Sequence, residues 1–160
     1  MTQQIPWNTL LVDQLEWHWV NLQAGGGDFR CDFAIPEPDP APVTTIAWRL
    51  AHLVVGVFGA RNHSHFDVPD ISYESFGYAG TADEALEQLD SGHDRWVEGV
   101  RALGEEGLQG ECGPAEGPYA DHPLAELVLH INREVIHHGA EVSLMRDLYL
   151  HSDRGTTQRP

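Results

Sequence analysis

The segment HPLAELVLHINREVIHHGAEVSLMRDLY, from His122 to Tyr149, constrains the fold more than any other part of the chain. At about 100° per residue, Leu124, Val128, Ile131, Val135 and Val142 fall on one side of a helix. A helix this amphipathic has to bury its apolar side against other elements, so the rest of the chain must supply packing partners. Asp121 is the expected cap, with Pro123 accommodated in the first turn, where its missing N–H costs nothing.

Three further segments carry the same period. From Trp7 to about Leu22, residues Leu10, Leu11, Leu15, Trp19 and Leu22 recur at helical spacing. Thr44 or Thr45 can cap a second helix through IAWRLAHLVVGVFGARNHSHF, with Ile46, Leu50, Leu53, Val57 and Phe58 on one face. Thr81 and Glu84 form a capping box that opens a third, running to about Leu103 with Leu86, Leu89, Trp96, Val97 and Val100 inward. Between them lie Ala24-Gly25-Gly26-Gly27, prolines at 36, 38, 40 and 42, and the loops DVPDISYESFGYAG and GEEGLQGECGPAEGPYA. Glycine loses much backbone entropy in a helix and proline removes donors, so these are connectors. With no alternating strand pattern and no internal repeat, the expected fold is all-α: a four-helix bundle with long connectors, one domain over 1–150 and a disordered tail at 151–160. Connectors of this length speak against a plain up-down-up-down order.

A chain of 160 residues can bury a sufficient core without disulfides. Cys31 and Cys112, far apart and in no metal-binding spacing, read as reduced thiols. The formal charge is -16, from 25 acidic and 9 basic residues, which repels nucleic-acid phosphates and anionic lipid. No run approaches the roughly 20 apolar residues of a membrane span. The start MTQQIPWNTLL lacks the basic and apolar regions of a signal peptide, so a cytoplasmic protein is expected. The acidic residues at 105, 106, 111 and 116 lack the spacing of a calcium loop and serve solubility. A small-molecule substrate is expected, and the aromatic-rich helices suggest a homodimer.

Ten histidines are many for this length, and they matter only where some converge. Glu134 and His138 are four apart on the last helix and can grip one ion; His130 and Glu141 lie within about 40° of the same line. A carboxylate with an imidazole suits zinc, the preferred ion, or nickel or ferrous iron, over calcium or magnesium. His52 sits between Ala51 and Leu53 in an apolar stretch, where an imidazole needs a partner; a backbone carbonyl is the simpler one. His52, Glu134 and His138 together would make a three-ligand site with an open position, the catalytic pattern. Glu141 could then act as a general base. His130 and His137 flank the set and either could touch the metal, although facing solvent is commoner. His63 and His65 form an H-x-H pair that histidines at a helix C-terminus explain more simply, and Arg146 and Asp147 read as structural charges at a helix end. The tryptophans at 7, 17, 19, 48 and 96 read as core or interface, one or two of them near the metal.

The stretches TIAWRLAHLVVGVF and HINREVIHHGAEVSLMRDLY resemble the second and fourth helices of the DinB-like or YfiT-like superfamily of bacterial four-helix metalloproteins. The specific marks are L-A-H on the former, and E-x-x-x-H with R-D-L on the latter. In the branch that includes bacillithiol transferases, two histidines four apart would align with Arg133 and His137, a pattern this chain departs from. It is more similar to the mycothiol-dependent branch, which includes maleylpyruvate isomerase. That resemblance implies His52, Glu134 and His138 as the ligands of a divalent metal, and a low-molecular-weight thiol held as thiolate for attack on a small electrophile. The expected function is therefore a metal-dependent, mycothiol-type S-transferase or a thiol-dependent isomerase. The alternatives are a non-catalytic protein that binds or sequesters a metal or small molecule, and a metal-assisted hydrolase. The connection between the first two helices is shorter than in those relatives.

Overall fold

The computed structural model describes residues 8, 9, 11, 12 and 45–151. The glycine and proline connector after the first expected helix, most of that helix, Cys31 and the tail from 152 lie outside the described residues.

The second expected helix is one unbroken run in three parts: α1 (Ile46–Ala51), a π-helical stretch π1 (His52–Gly59) and α2 (Ala60–Phe66). Thr45 caps it, its hydroxyl accepting from the Trp48 N–H at 3.0 Å. Sequence periodicity gave no sign of the wider winding in π1. There Leu53, Val54, Val55, Val57, Phe58 and Gly59 are all buried, so the run packs on nearly every side rather than along one stripe. Asp67 ends α2 in the left-handed region at φ 54°, which the short polar side chain tolerates.

The third helix, α3 (Ala82–Leu108), is capped by Thr81, whose hydroxyl accepts from the Glu84 N–H, while the Glu84 carboxylate accepts from the Gly80 N–H. It runs beyond the expected end at Leu103. Gly104 leaves helical geometry (φ 62°, ψ -170°) and another turn follows, a backbone conformation open to glycine. A 3₁₀ segment covers Pro114–Tyr119. The last helix, α4 (Leu124–Leu150), begins after Pro123 rather than from a cap at Asp121. Pro123 is extended (φ -67°, ψ 144°), and the residue before a proline is itself kept out of helical geometry, so the first turn starts two residues later than a cap at Asp121 would give.

The described residues form an all-α bundle in which the only strand-like pairing is an isolated bridge between Glu111 and Pro123. Trp96 and Leu89 of α3, Leu53 and Phe58 of π1, and Ile131 and Val135 of α4 meet in its core. The helical residues Asn8, Thr9, Leu11 and Val12 belong to the same bundle. Asn8 Nδ2 donates to the Val100 carbonyl at 2.6 Å, and Asn132 Nδ2 to the Leu11 carbonyl at 3.1 Å. Among the described residues no helix is long and apolar enough to cross a membrane. Arg49 meets Glu141 while His52 meets His138, so α1 and π1 run antiparallel to α4 and set their polar residues face to face.

Candidate metal centre

His52 opens π1 at the point where the apolar run passes α4, and Glu134 and His138 stand one turn apart on the facing side of α4. Their ligand atoms lie within 4.8 Å of one another. The His52 and His138 rings meet edge to face at 4.7 Å between centroids. His138 Nε2 is 3.3 Å from Glu134 Oε2. Two ligands at about 2.0–2.1 Å from a tetrahedral zinc are about 3.3–3.4 Å apart, so this pair already has the spacing of two ligands on one ion. The donors are two imidazoles and a carboxylate, the set zinc and its neighbours prefer, and they fit such an ion.

The remaining nitrogens of both rings are engaged. His138 Nδ1 is 2.7 Å from Glu141 Oε2, and His52 Nδ1 is 2.7 Å from the Tyr73 hydroxyl. Outer partners of this kind fix which nitrogen a histidine turns toward a metal. Arg49 Nε lies 2.9 Å from the same Glu141 oxygen, but its N–H points away from that oxygen, so the contact is ionic rather than a hydrogen bond. The Arg49 guanidinium lies over the Trp48 ring at 4.9 Å, and Trp48 stacks on His52 at 5.5 Å with an 11° interplanar angle. Burial pulls the His52 pKa below 6.5, and the positive partners His138 and Arg49 act in the same direction, against Glu134 and Glu141. Its imidazole is therefore biased toward the neutral, ligating form.

His137, His138 and Glu141 form a second group with ligand atoms equally close. We favour the first. The second draws all its ligands from one helix, and the His137 side chain is 67 % exposed and 3.5 Å from Glu141. His138 is 7 % exposed and faces a second helix through His52.

His130 Nδ1 stands 3.9 Å from the other Glu134 oxygen. It also lines a cavity of about 550 Å³, together with Arg61, Cys112, Glu116, Tyr119 and Arg133. Cys112 is a free, buried thiol whose pKa is pushed up by burial, with Glu116 and Glu126 adding to the effect. Arg61 and His65 both hold Glu116, at 3.2 and 3.1 Å, which ties α2 to the 3₁₀ segment. A second cavity of about 660 Å³ is lined by Val54, Ile71, Phe76 and Tyr78 among others, and neither cavity is lined by His52, Glu134 or His138.

The other residues singled out from the sequence lie apart from the ligand trio. His63 Nδ1 contacts the Val68 carbonyl at 2.8 Å and His65 turns to Glu116, so the H-x-H pair does not converge on one point. Arg133 is exposed and Arg146 is buried. Tyr73 and Arg49 were not legible as site residues. The available signals were Gly56, an unexplained glycine one turn beyond His52 in an apolar run, and Arg49, three residues before His52.

No characterised protein and no solved structure matches the chain. The family model of the DinB superfamily matches residues 9–142, a span that holds His52, Glu134, His138 and Glu141, and the chain belongs to that superfamily.

Proposed function

We propose that the protein is a metal-dependent thiol S-transferase, or a thiol-dependent isomerase, with a divalent ion held by His52, Glu134 and His138. The observation that carries this reading is the convergence of three ligand atoms from two helices within 4.8 Å. When bound, the ion would act as a Lewis acid and lower the pKa of a thiol or water at its open position.

The chain's own residues have separable tasks. His52 and His138 offer ring nitrogens, Glu134 balances charge, and Glu141 orients His138 from behind. Because Glu141 Oε2 is already engaged by His138 Nδ1 and Arg49, we assign it positioning work rather than a general base's proton transfer. A small electrophile or the tail of a thiol would occupy the cavity lined by His130 and Arg133, which precede Glu134 along α4. Mycothiol is the thiol implied by the resemblance of His52, Glu134 and His138 to the ligands of the mycothiol-dependent branch.

Metal content decides the first step. Wild-type protein loaded with zinc is expected to hold one equivalent, and His52→Ala and His138→Ala to lose it; metal retained in both variants would sink the ligand set. Zinc-loaded enzyme is then assayed with a small electrophile, with and without mycothiol. Thiol-dependent consumption supports the proposal. Turnover without thiol would point to hydrolysis, and tight metal binding with no turnover to sequestration.

A further inference from the structure

The loop between α2 and α3 delivers a tyrosine to the metal centre. Tyr73 follows His52 by 21 residues and reaches back so that its hydroxyl lies 2.7 Å from Nδ1. Its place in the loop is held by the Tyr78 hydroxyl, which donates to the Tyr73 carbonyl at 2.8 Å, and by the tight turn between Ser72 and Ser75.

Gly56 makes the approach available. A Cβ at this position would overlap the Tyr73 hydroxyl and lie 3.0 Å from His52 Nδ1. Glycine is less favourable than alanine within a helix, and here the space its missing side chain leaves is filled by the tyrosine hydroxyl and the His52 ring. Two independent features, a hydrogen bond and a gap in the helix surface, therefore meet at one nitrogen.

We infer that Tyr73 is a positioning residue for the metal centre: its hydroxyl, admitted by Gly56, accepts the Nδ1 proton of His52 and keeps the Nε2 lone pair directed at the ion. This rests on the proposed ligand set of His52, Glu134 and His138. Trp48 fixes the plane of the His52 ring by stacking, and Tyr73 fixes its tautomer and rotation. His138 has the matching arrangement with Glu141 as acceptor. The phenol is a neutral acceptor and the carboxylate a charged one, so the two ligands are held by partners of different strength.

Tyr73→Phe removes only the hydroxyl, from a side chain that is 45 % exposed. Zinc and cobalt(II) are titrated into apo-protein in competition with a chromophoric chelator. The variant is expected to bind each about 10- to 100-fold more weakly, with the apo-protein melting temperature unchanged. Gly56→Ala, whose Cβ would displace the hydroxyl and also press on the His52 ring, should lose at least as much. In the zinc-loaded wild type the His52 Nδ1 proton should be visible by ¹⁵N–¹H correlation and should exchange faster in Tyr73→Phe. Wild-type affinity in Tyr73→Phe overturns the inference. His52→Ala separates the two levels: if it binds zinc like wild type, the ligand set itself falls, whereas if it loses zinc and Tyr73→Phe does not, only the role of Tyr73 falls.

Discussion

Removing the Glu141 carboxylate isolates the contribution of the groups behind the proposed metal ligands. Glu141 Oε2 lies 2.7 Å from His138 Nδ1 and 2.9 Å from Arg49 Nε, so one oxygen orients the ring and is itself held by a cation. Loss of an outer hydrogen-bond partner of a ligating histidine costs about 10- to 100-fold in metal affinity, or about 1.4–2.7 kcal/mol. Glu141→Ala should show that full loss. Glu141→Gln keeps an oxygen acceptor but no charge, and because a charge-assisted bond is roughly twice as strong as a neutral one, its loss should be about 3- to 10-fold. The assay is zinc competition with a chromophoric chelator at neutral pH on apo-protein. Wild-type affinity in Glu141→Ala would refute the orienting role. A loss as complete as that of His138→Ala would refute it differently, by making Glu141 a ligand.

Other consequences follow from burial and titration. The folded-state pKa of His52 is held below 6.5, chiefly by burial, so the unfolded chain takes up a proton there first as the pH falls. The melting temperature of apo-protein should therefore drop as pH is lowered through 6.5, and His52→Gln should flatten part of that slope; an identical slope in the variant would contradict the assignment. Phe58 is 0 % exposed in the core, and Phe58→Ala should cost about 3–5 kcal/mol in a denaturant titration. Cys112 is buried with its thiol pKa raised, so in a Cys31→Ser background its alkylation at pH 8 should be at least about 10-fold slower folded than in urea.

The helical class and three of the helix positions follow from local rules. Apolar spacing marks the segments, and Thr45 and Thr81 cap where hydroxyl acceptors precede helical runs. Boundaries set by single residues were harder to read. The turn at Gly104 and the late start after Pro123 depend on the backbone geometry those residues adopt, of which residue type is only part of the cause.

The candidate site divides along the same line. Glu134 and His138 are neighbours by helix geometry, so their pairing is written in a spacing of four, and His52 drew notice as an imidazole in apolar company. Which faces of two antiparallel helices meet is settled by packing across the bundle, and that alone brings His52 to His138 and Arg49 to Glu141. The π winding from His52, the tyrosine that fills the gap at Gly56 and the cavity beside His130 likewise arise from contacts between residues far apart in the chain. Sequence by itself determined the period of the helices and the pair of candidate ligands within one turn. Tertiary structure decided the neighbours of the third candidate ligand and the partners behind each imidazole, because a helix repeats only its own turn and carries no record of what packs against it.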